Sequence, residues 1–122
     1  MYFDGQGSDG HALDRYSLLR PETVESCFYM WRLTKDPIYK KYAWDYAKSI
    51  EKRAKSSSGY SGLRNVNYVG EDNMSNLDGN QQTFLLAETF KYMYLIFSDD
   101  DVISLDDWVF NTEAHPLKII KN

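Results

Sequence analysis

Cysteine is almost absent from this chain, and the single thiol, Cys27, can form no internal disulfide. Cys27 falls within an apolar pattern of helical spacing, so we expect a buried and inert thiol rather than a nucleophile. One cysteine does not exclude an oxidising compartment, because partner cysteines can lie in sequence outside this chain.

Long apolar runs are missing as well. No segment reaches the roughly 18 apolar residues that a membrane-spanning helix needs. The N-terminus has neither the basic start nor the apolar stretch of a signal peptide, and residues 4–11 have the glycine-rich composition of a flexible loop. A mature protein does not usually begin in such a loop, so we expect the chain to be a portion of a longer one.

Clusters of basic residues are also lacking. The formal net charge is -4, and no long run of lysine and arginine is present, which excludes nucleic acid as the expected partner. With 43% hydrophobic and 26% charged residues, the composition is that of a globular protein. A length of 122 residues allows one ordinary domain and not two.

Apolar periodicity predicts three helices. The first opens at Pro21 and ends around residues 34–36, and the second opens at Pro37 and fades in residues 56–59. Because a short turn joins them, these two helices are predicted to form an antiparallel hairpin. The chain between the hairpin and the third helix is predicted to be irregular or short β over residues 60–69.

The third predicted helix, Gln81 to Phe97, is apolar nearly all round. A helix of this kind is buried on every side. Two other helices cannot bury it fully, so this pattern indicates that much of the fold lies outside the chain. The loop before it, residues 70–80, contains the glycosylation sequon Asn73-Met74-Ser75, a pattern that also arises often by chance.

The C-terminal region is predicted to be a β-hairpin. Its strands are Trp108-Val109-Phe110 and Leu117-Lys118-Ile119-Ile120, with a turn from Asn111 to Pro116. The acidic segment Ser98-Asp99-Asp100-Asp101 lacks the glycine and the terminal glutamate of an EF-hand, so we expect a solvated turn there.

Two glutamates at the start of the first helix are candidates for chemistry. Glu22 and Glu25 lie three residues apart and share one face. Judged by spacing alone, carboxylates that stabilise a helix start are the favoured interpretation. Arg20, just outside the helix, can pair with either glutamate, and spacing alone again favours an ordinary surface ion pair.

Phe84 and Glu88 give the clearest functional indication available from the residues themselves. They lie four apart on the third helix, so the ring and the carboxylate face the same way. An aromatic face beside a carboxylate suits a sugar, although a packed ring and a hydrogen-bonded carboxylate would show the same spacing. However, a charge inside so apolar a helix is costly unless it is paired or faces a polar cavity.

The predicted hairpin turn carries the last candidates, Thr112, Glu113 and His115. The hydroxyl and carbonyl oxygens of Thr112 are hard ligands of the kind that calcium accepts, but spacing alone does not predict a calcium site. A lone histidine such as His115 is more often a structural hydrogen-bonding residue than a metal ligand.

Five motifs along the chain resemble those of the class I α-1,2-mannosidases, in the C-terminal part of that family's sequence. They are Leu18-Leu19-Arg20-Pro21-Glu22-Thr23-Val24-Glu25-Ser26, Gly59-Tyr60-Ser61-Gly62-Leu63, Leu86-Ala87-Glu88-Thr89 with Lys91-Tyr92, Phe97-Ser98-Asp99-Asp100, and Val109-Phe110-Asn111-Thr112-Glu113-Ala114-His115-Pro116. The resemblance extends from about Asp14 to Ile120. A chance match of all five in order is implausible.

The resemblance implies an all-α fold, part of an (α/α)7 barrel whose C-terminal β-hairpin plugs one end. Residues 1–122 would then be the C-terminal portion of one catalytic domain, which needs the rest of that domain to fold and act. The implied reaction is the calcium-dependent, inverting hydrolysis of terminal α-1,2-linked mannose from high-mannose N-glycans. The implied location is the lumen of the secretory pathway or the cell exterior, with any membrane anchor upstream of residue 1.

The resemblance also implies residue roles. Glu22 matches the proposed general base, and Thr112 matches the calcium ligand. The remaining matches bind the sugar or the waters around the cation: Arg20, Glu25, Phe84, Glu88 and Glu113. The carboxylates on the acid side of the reaction would lie upstream of residue 1. The chain departs from the family at Gln81-Gln82-Thr83, where members often carry a glutamate, and this difference bears on substrate preference.

Two other functions remain open at the level of sequence. One is a glycan-recognition protein of endoplasmic reticulum quality control, with the same fold and weak or no activity. The other is a non-enzymatic helical-hairpin interaction module. The module predicts no reason for Glu88 to be polar, whereas the mannosidase motifs at both ends of the chain favour the enzyme.

Overall fold

A computed structural model describes residues 15–121. Two long helices, α1 (Glu22–Thr34) and α2 (Pro37–Arg53), are followed by a loop that contains a 3-10 turn, Asn73–Asn76. A π-helical segment, Leu85–Thr89, runs directly into α3 (Phe90–Phe97). Two short strands, β1 (Trp108–Phe110) and β2 (Pro116–Lys118), complete the order.

The three predicted helices and the β-hairpin are present, but α2 already ends at Arg53, and the second strand is Pro116–Lys118 rather than the predicted 117–120. Lys35 ends α1 in the left-handed conformation, with φ 58°, and its N–H donates to the carbonyl of Trp31. Asp36 then accepts a hydrogen bond from the N–H of Ile38, and Pro37 occupies the first position of α2. These local signals explain why the two helices could be delimited from sequence.

The third helix differs from the prediction in its winding. Helical geometry begins at Thr83, and the π-helical segment follows before regular α-helix resumes at Phe90. The N–H of Phe90 donates to the carbonyl of Leu85, five residues earlier. Single π turns of this kind occur frequently at functional sites, and Glu88 lies inside this one.

One apolar cluster lies between the three helices and the hairpin, and a second one joins α2, the α2–α3 connection and the π segment. Val24, Phe28 and Ile96 are fully buried and pack with Phe110 from β1. Cys27 is buried in the same cluster, and burial raises the pKa of its thiol, in keeping with the predicted inert cysteine.

Only one side of α3 is covered. Tyr92, Leu95 and Ile96 are buried, whereas Tyr94 is 68% exposed and Phe97 is 46% exposed. Leu86 in the preceding π segment is 60% exposed. Within residues 15–121, two helices and a hairpin therefore leave this apolar surface open, as the all-round apolar pattern predicts.

The long connection between α2 and α3 is held by isolated β-bridges rather than by a sheet. Leu63 bridges both Ser17 and Leu77, which joins the connection to the segment that precedes α1. Asn73 of the sequon donates from its side-chain amide to the carbonyl of Lys52. No helix in the described part of the chain is both long and apolar enough to cross a membrane.

Candidate active site

The segments that open α1 and α3 meet at one end of the molecule. The guanidinium carbon of Arg20 lies 5.8 Å from the centroid of the Phe84 ring. Arg20 precedes α1 and Phe84 precedes the π segment, so this contact joins two segments that are far apart in sequence. A cation over an aromatic face is attracted to the ring, so this contact helps to hold the two segments together.

A buried hydrogen bond strengthens this junction. The hydroxyl of Thr89 donates to the carbonyl of Leu19 at 2.8 Å. Thr89 is fully buried, and Leu19 adopts the left-handed conformation with φ 59°. Left-handed backbone is strained for a leucine, so it persists where neighbouring contacts hold it. Thr89 therefore helps to define the direction in which the chain enters Arg20 and Glu22.

The two glutamates of α1 differ in their surroundings. Glu22 is exposed, and it borders a cleft of about 360 Å³ that Arg20 and Tyr46 also line. Glu25 is partly buried, and its Oε1 accepts a hydrogen bond of 3.3 Å from the hydroxyl of Tyr92 on α3. Glu25 is thus tied to the core, whereas Glu22 faces open space.

The hairpin turn is built around Asn111. Its side-chain oxygen accepts hydrogen bonds from the N–H groups of Glu113 and His115, at 3.0 and 2.9 Å. Ala114 is fully buried in the left-handed conformation, with φ 56°. Its carbonyl accepts a hydrogen bond of 2.7 Å from the Lys91 ammonium on α3. The turn is therefore rigid in itself and is attached to α3.

Glu88 is affected by the charges of three other glutamates, which lie on α1 and in the hairpin turn. The pKa of Glu88 is raised, first by burial and then by the charges of Glu113, Glu22 and Glu25, while Lys91 opposes the rise. Like charges influence one another in this way only at short range, because solvent screens distant ones. Glu22, Glu25 and Glu113 therefore lie within electrostatic range of the Glu88 carboxylate.

Thr112 lies beside this cluster in sequence and is exposed. Among the described residues, neither its hydroxyl nor its carbonyl oxygen is engaged in a hydrogen bond, so both remain free for a ligand. Within residues 15–121 no group of three or more His, Cys, Asp or Glu side chains could hold a metal ion. His115 is exposed, with Nε2 3.7 Å from Oε2 of Glu113.

Three residues that contact the candidate site were not selected from the sequence as site residues: Thr89, Lys91 and Tyr46. Tyr46 on α2 donates to the carbonyl of Arg20 at 3.4 Å, and its pKa is raised by burial and by the charge of Glu22. For Lys91 a signal was present, since it lies three residues after Glu88 on an otherwise apolar helix. Thr89 and Tyr46 offered none, because their partners are distant in sequence.

The chain belongs to glycosyl hydrolase family 47, whose family model matches residues 4–119. Among curated proteins it is 54% identical over 107 residues to mannosyl-oligosaccharide 1,2-alpha-mannosidase IA of Sus scrofa, covering 88% of this chain and 16% of that protein. It is 50% identical over 119 residues to mannosyl-oligosaccharide 1,2-alpha-mannosidase MNS1 of Arabidopsis thaliana, covering 98% of this chain and 20% of that protein.

A solved structure gives the same relationship. The alpha-1,2-mannosidase from Trichoderma reesei matches with a TM-score of 0.79 and 35% sequence identity, covering 87% of this chain and 22% of that chain. The resemblance of the motifs to this family is therefore confirmed. The chain spans about a fifth of the length of the relatives that it matches.

Proposed function

We propose that this chain is the C-terminal portion of the catalytic domain of an α-1,2-mannosidase, which removes terminal α-1,2-linked mannose from high-mannose N-glycans in the secretory pathway or outside the cell. The observation that carries the proposal is the convergence of an arginine, an aromatic ring and four carboxylates at one end of the fold. The names of the relatives, all 1,2-alpha-mannosidases, support the substrate class.

The proposed reaction inverts the configuration at the sugar carbon. Glu22 acts as the general base that takes a proton from the attacking water. Its exposure beside the cleft supports this role, since a base of this kind needs access to water. The Phe84 ring, in contact with Arg20, provides a face for the sugar's C–H groups to stack on.

Glu25, Glu88 and Glu113 would hold sugar hydroxyls or ordered waters. Carboxylates accept hydrogen bonds from several hydroxyls at once, which suits a mannose bound at its non-reducing end. The raised pKa of Glu88 supports a polar ligand or a cation here, because such a partner relieves the repulsion of its carboxylate by the neighbouring ones.

Calcium fits the oxygen donors of the turn. The free hydroxyl and carbonyl oxygens of Thr112 would hold it, with waters held by the surrounding carboxylates in place of a direct carboxylate cage. A bound calcium ion would supply a hard positive charge that accepts sugar hydroxyl oxygens. The protein's own contribution is the rigid turn around Asn111, which orients both oxygens.

The remaining role is that of the proton donor, a carboxylic acid that protonates the leaving-group oxygen. We place it, with the remaining helices of an (α/α)7 barrel, in the part of the domain that the relatives possess and this chain does not span. The hairpin would close that barrel from one end. The open apolar side of α3 supports this arrangement, because a barrel neighbour would cover it.

A chimera tests the proposal. In it, this chain replaces the matched segment of the Sus scrofa relative, and hydrolysis of an α-1,2-linked mannobiose is measured with and without a calcium chelator. We expect turnover that the chelator abolishes. Glu22→Gln in the chimera should lower kcat by roughly 10²–10⁴-fold, the usual contribution of a general base.

The matched control is Glu71→Gln, an exposed glutamate of the loop before α3, which should leave kcat unchanged. Turnover that is indifferent to the chelator would contradict the calcium role. Undiminished turnover of Glu22→Gln would contradict the assignment of the base, and a folded chimera without any mannosidase activity would contradict the proposed function.

A further inference from the structure

A single lysine links the hairpin turn to the helices. The ammonium of Lys91 donates to the carbonyl of Ala114 at 2.7 Å, and both groups are partly shielded from solvent. Among the hydrogen bonds of the described residues, this is the only one that joins residues 111–115 to a helix. The other bonds of the turn are internal, made by Asn111.

The turn needs such an attachment. Ala114 has φ 56°, a conformation that an alanine adopts at a cost and keeps where contacts determine it. The Ala114 side chain is fully buried against the core, so its carbonyl cannot reorient freely. Thr112 and Glu113 immediately precede this residue, and small rotations at Ala114 would displace their oxygens.

We propose that Lys91 is a positioning residue of the site: by holding the Ala114 carbonyl, it sets where the Thr112 and Glu113 oxygens lie relative to Glu88. This inference rests on the proposed function for its catalytic consequence. Lys91 itself contacts neither of those two side chains by a hydrogen bond within the described residues, so it acts through the backbone of the turn. Its charge also opposes the mutual repulsion of the carboxylates.

The test uses the chimera with Lys91→Met, which keeps the apolar stem and removes the donor. The control is Lys118→Met, which removes an exposed lysine from the hairpin itself. Calcium affinity is read from the shift of the thermal midpoint over buffered free calcium. We expect Lys91→Met to weaken it by roughly 10–100-fold, the usual effect of losing a residue that orients ligands, and Lys118→Met to leave it unchanged.

Rescue separates positioning from general stability. Lys91→Arg keeps a donor and a charge and should restore calcium affinity to within a few-fold of the parent chimera. kcat/KM should follow the same order, with Lys91→Met low and Lys91→Arg close to the parent. Should Lys91→Met not fold, Lys91→Gln, a shorter donor, should bind calcium less tightly than Lys91→Arg. Equal affinities in that pair, or a Lys91→Met protein that matches Lys118→Met, would overturn the inference.

A third readout requires neither sugar nor calcium. Hydrogen exchange across residues 108–118 in calcium-free chimera should be faster in Lys91→Met than in Lys118→Met, because the turn loses its attachment. If the parent chimera lacks mannosidase activity, the proposed function fails while this difference still decides the role of Lys91. If activity is present and exchange is unchanged by Lys91→Met, the positioning role fails alone.

Discussion

At the scale of single residues, Glu88 is the position that both the sequence pattern and the structure single out. An acidic residue inside an apolar helix indicates a special role, but the sequence could not say what the side chain faces. The structure places it under the influence of three other glutamates and of Lys91. Burial is the largest cause of its raised pKa, so the Glu88 carboxylate itself is partly shielded from water.

The raised pKa predicts a pH-dependent effect of Glu88→Gln in calcium-free chimera. Well below the ordinary glutamate pKa of 4.5, the group is protonated in both the folded and unfolded states and carries no penalty. As the pH rises through the folded pKa, the partly buried carboxylate ionises against its neighbours, and the parent loses stability. Glu88→Gln should therefore raise the thermal midpoint more at pH 7 than near pH 3.5.

The control for this prediction is Glu71→Gln, which should show no such difference between the two pH values. At saturating calcium the parent should have a higher thermal midpoint than Glu88→Gln, because the parent gains stability from the cation and the Gln variant gains less. Identical shifts of the Glu88→Gln midpoint at both pH values would show that its carboxylate carries no burial penalty.

At the scale of elements, the end of α3 depends on one buried arginine. The Arg32 guanidinium on α1 donates to the carbonyls of Leu95 and Val102 at 3.2 and 3.1 Å. It also donates to the carbonyls of Asp99 and Asp100 in the acidic turn. The Asp99 carbonyl also accepts from the N–H of Val102 at 3.1 Å, whereas the other three carbonyls accept no further backbone hydrogen bond among the described residues. The aspartate side chains are exposed, as the sequence predicts for a solvated turn.

Arg32→Met should therefore destabilise the chimera strongly. Hydrogen bonds from a charged donor contribute about 1.5–3 kcal/mol each, and the carbonyls left unpaired add to the loss, so we expect the free energy of unfolding to fall by about 3 kcal/mol. Urea denaturation measures the effect. Arg53→Met removes an exposed arginine whose two carbonyl contacts are 3.5 Å long, and should change stability little. Equal losses in the two variants would contradict the role given to Arg32.

The π-helical segment is the part of the helices that the sequence did not reveal. An apolar pattern over residues 81–97 predicts a helix. The one extra residue of the π turn, however, alters the spacing of the apolar residues too little to be detected in the sequence. Its consequence is geometric, because it determines the direction in which Glu88 projects relative to the α3 residues that follow. The buried hydrogen bond from the Thr89 hydroxyl to the Leu19 carbonyl attaches this turn to the segment that precedes α1.

At the scale of the whole molecule, the described residues expose several large apolar side chains. Trp44 on α2 is 56% exposed and packs edge to face on Phe97, while Tyr94 and Leu86 point away from the core. Contiguous surfaces of this kind belong to interfaces. The described residues therefore form a packed unit that leaves one apolar face exposed.

The isolated chain should consequently behave as a molten state. We expect near-native helical circular dichroism, binding of a hydrophobic dye and no sharp thermal transition, because secondary structure forms without partners for its exposed face. Differential scanning calorimetry of the 122-residue chain tests this. A cooperative unfolding transition with no dye binding would show that the chain is stable alone.

The sequence by itself determined the local structure and the family. Pro21, Asp36 and Pro37 delimit the helices because caps and proline act over a few residues. The hairpin followed from two short apolar runs around a polar turn. The motifs identified glycosyl hydrolase family 47, since long ordered matches do not depend on how the chain packs.

Only the tertiary structure decided how the candidate residues are arranged. Spacing could place Glu22 beside Glu25 on one helix, but it could not bring Glu88 and Glu113 to the same end. That convergence arises from the packing of α1, α3 and the hairpin, held by Thr89 and Lys91 through backbone carbonyls. Contacts of this kind are hydrogen bonds to main-chain carbonyls, which every residue possesses. No pattern of side chains along the sequence therefore predicts them.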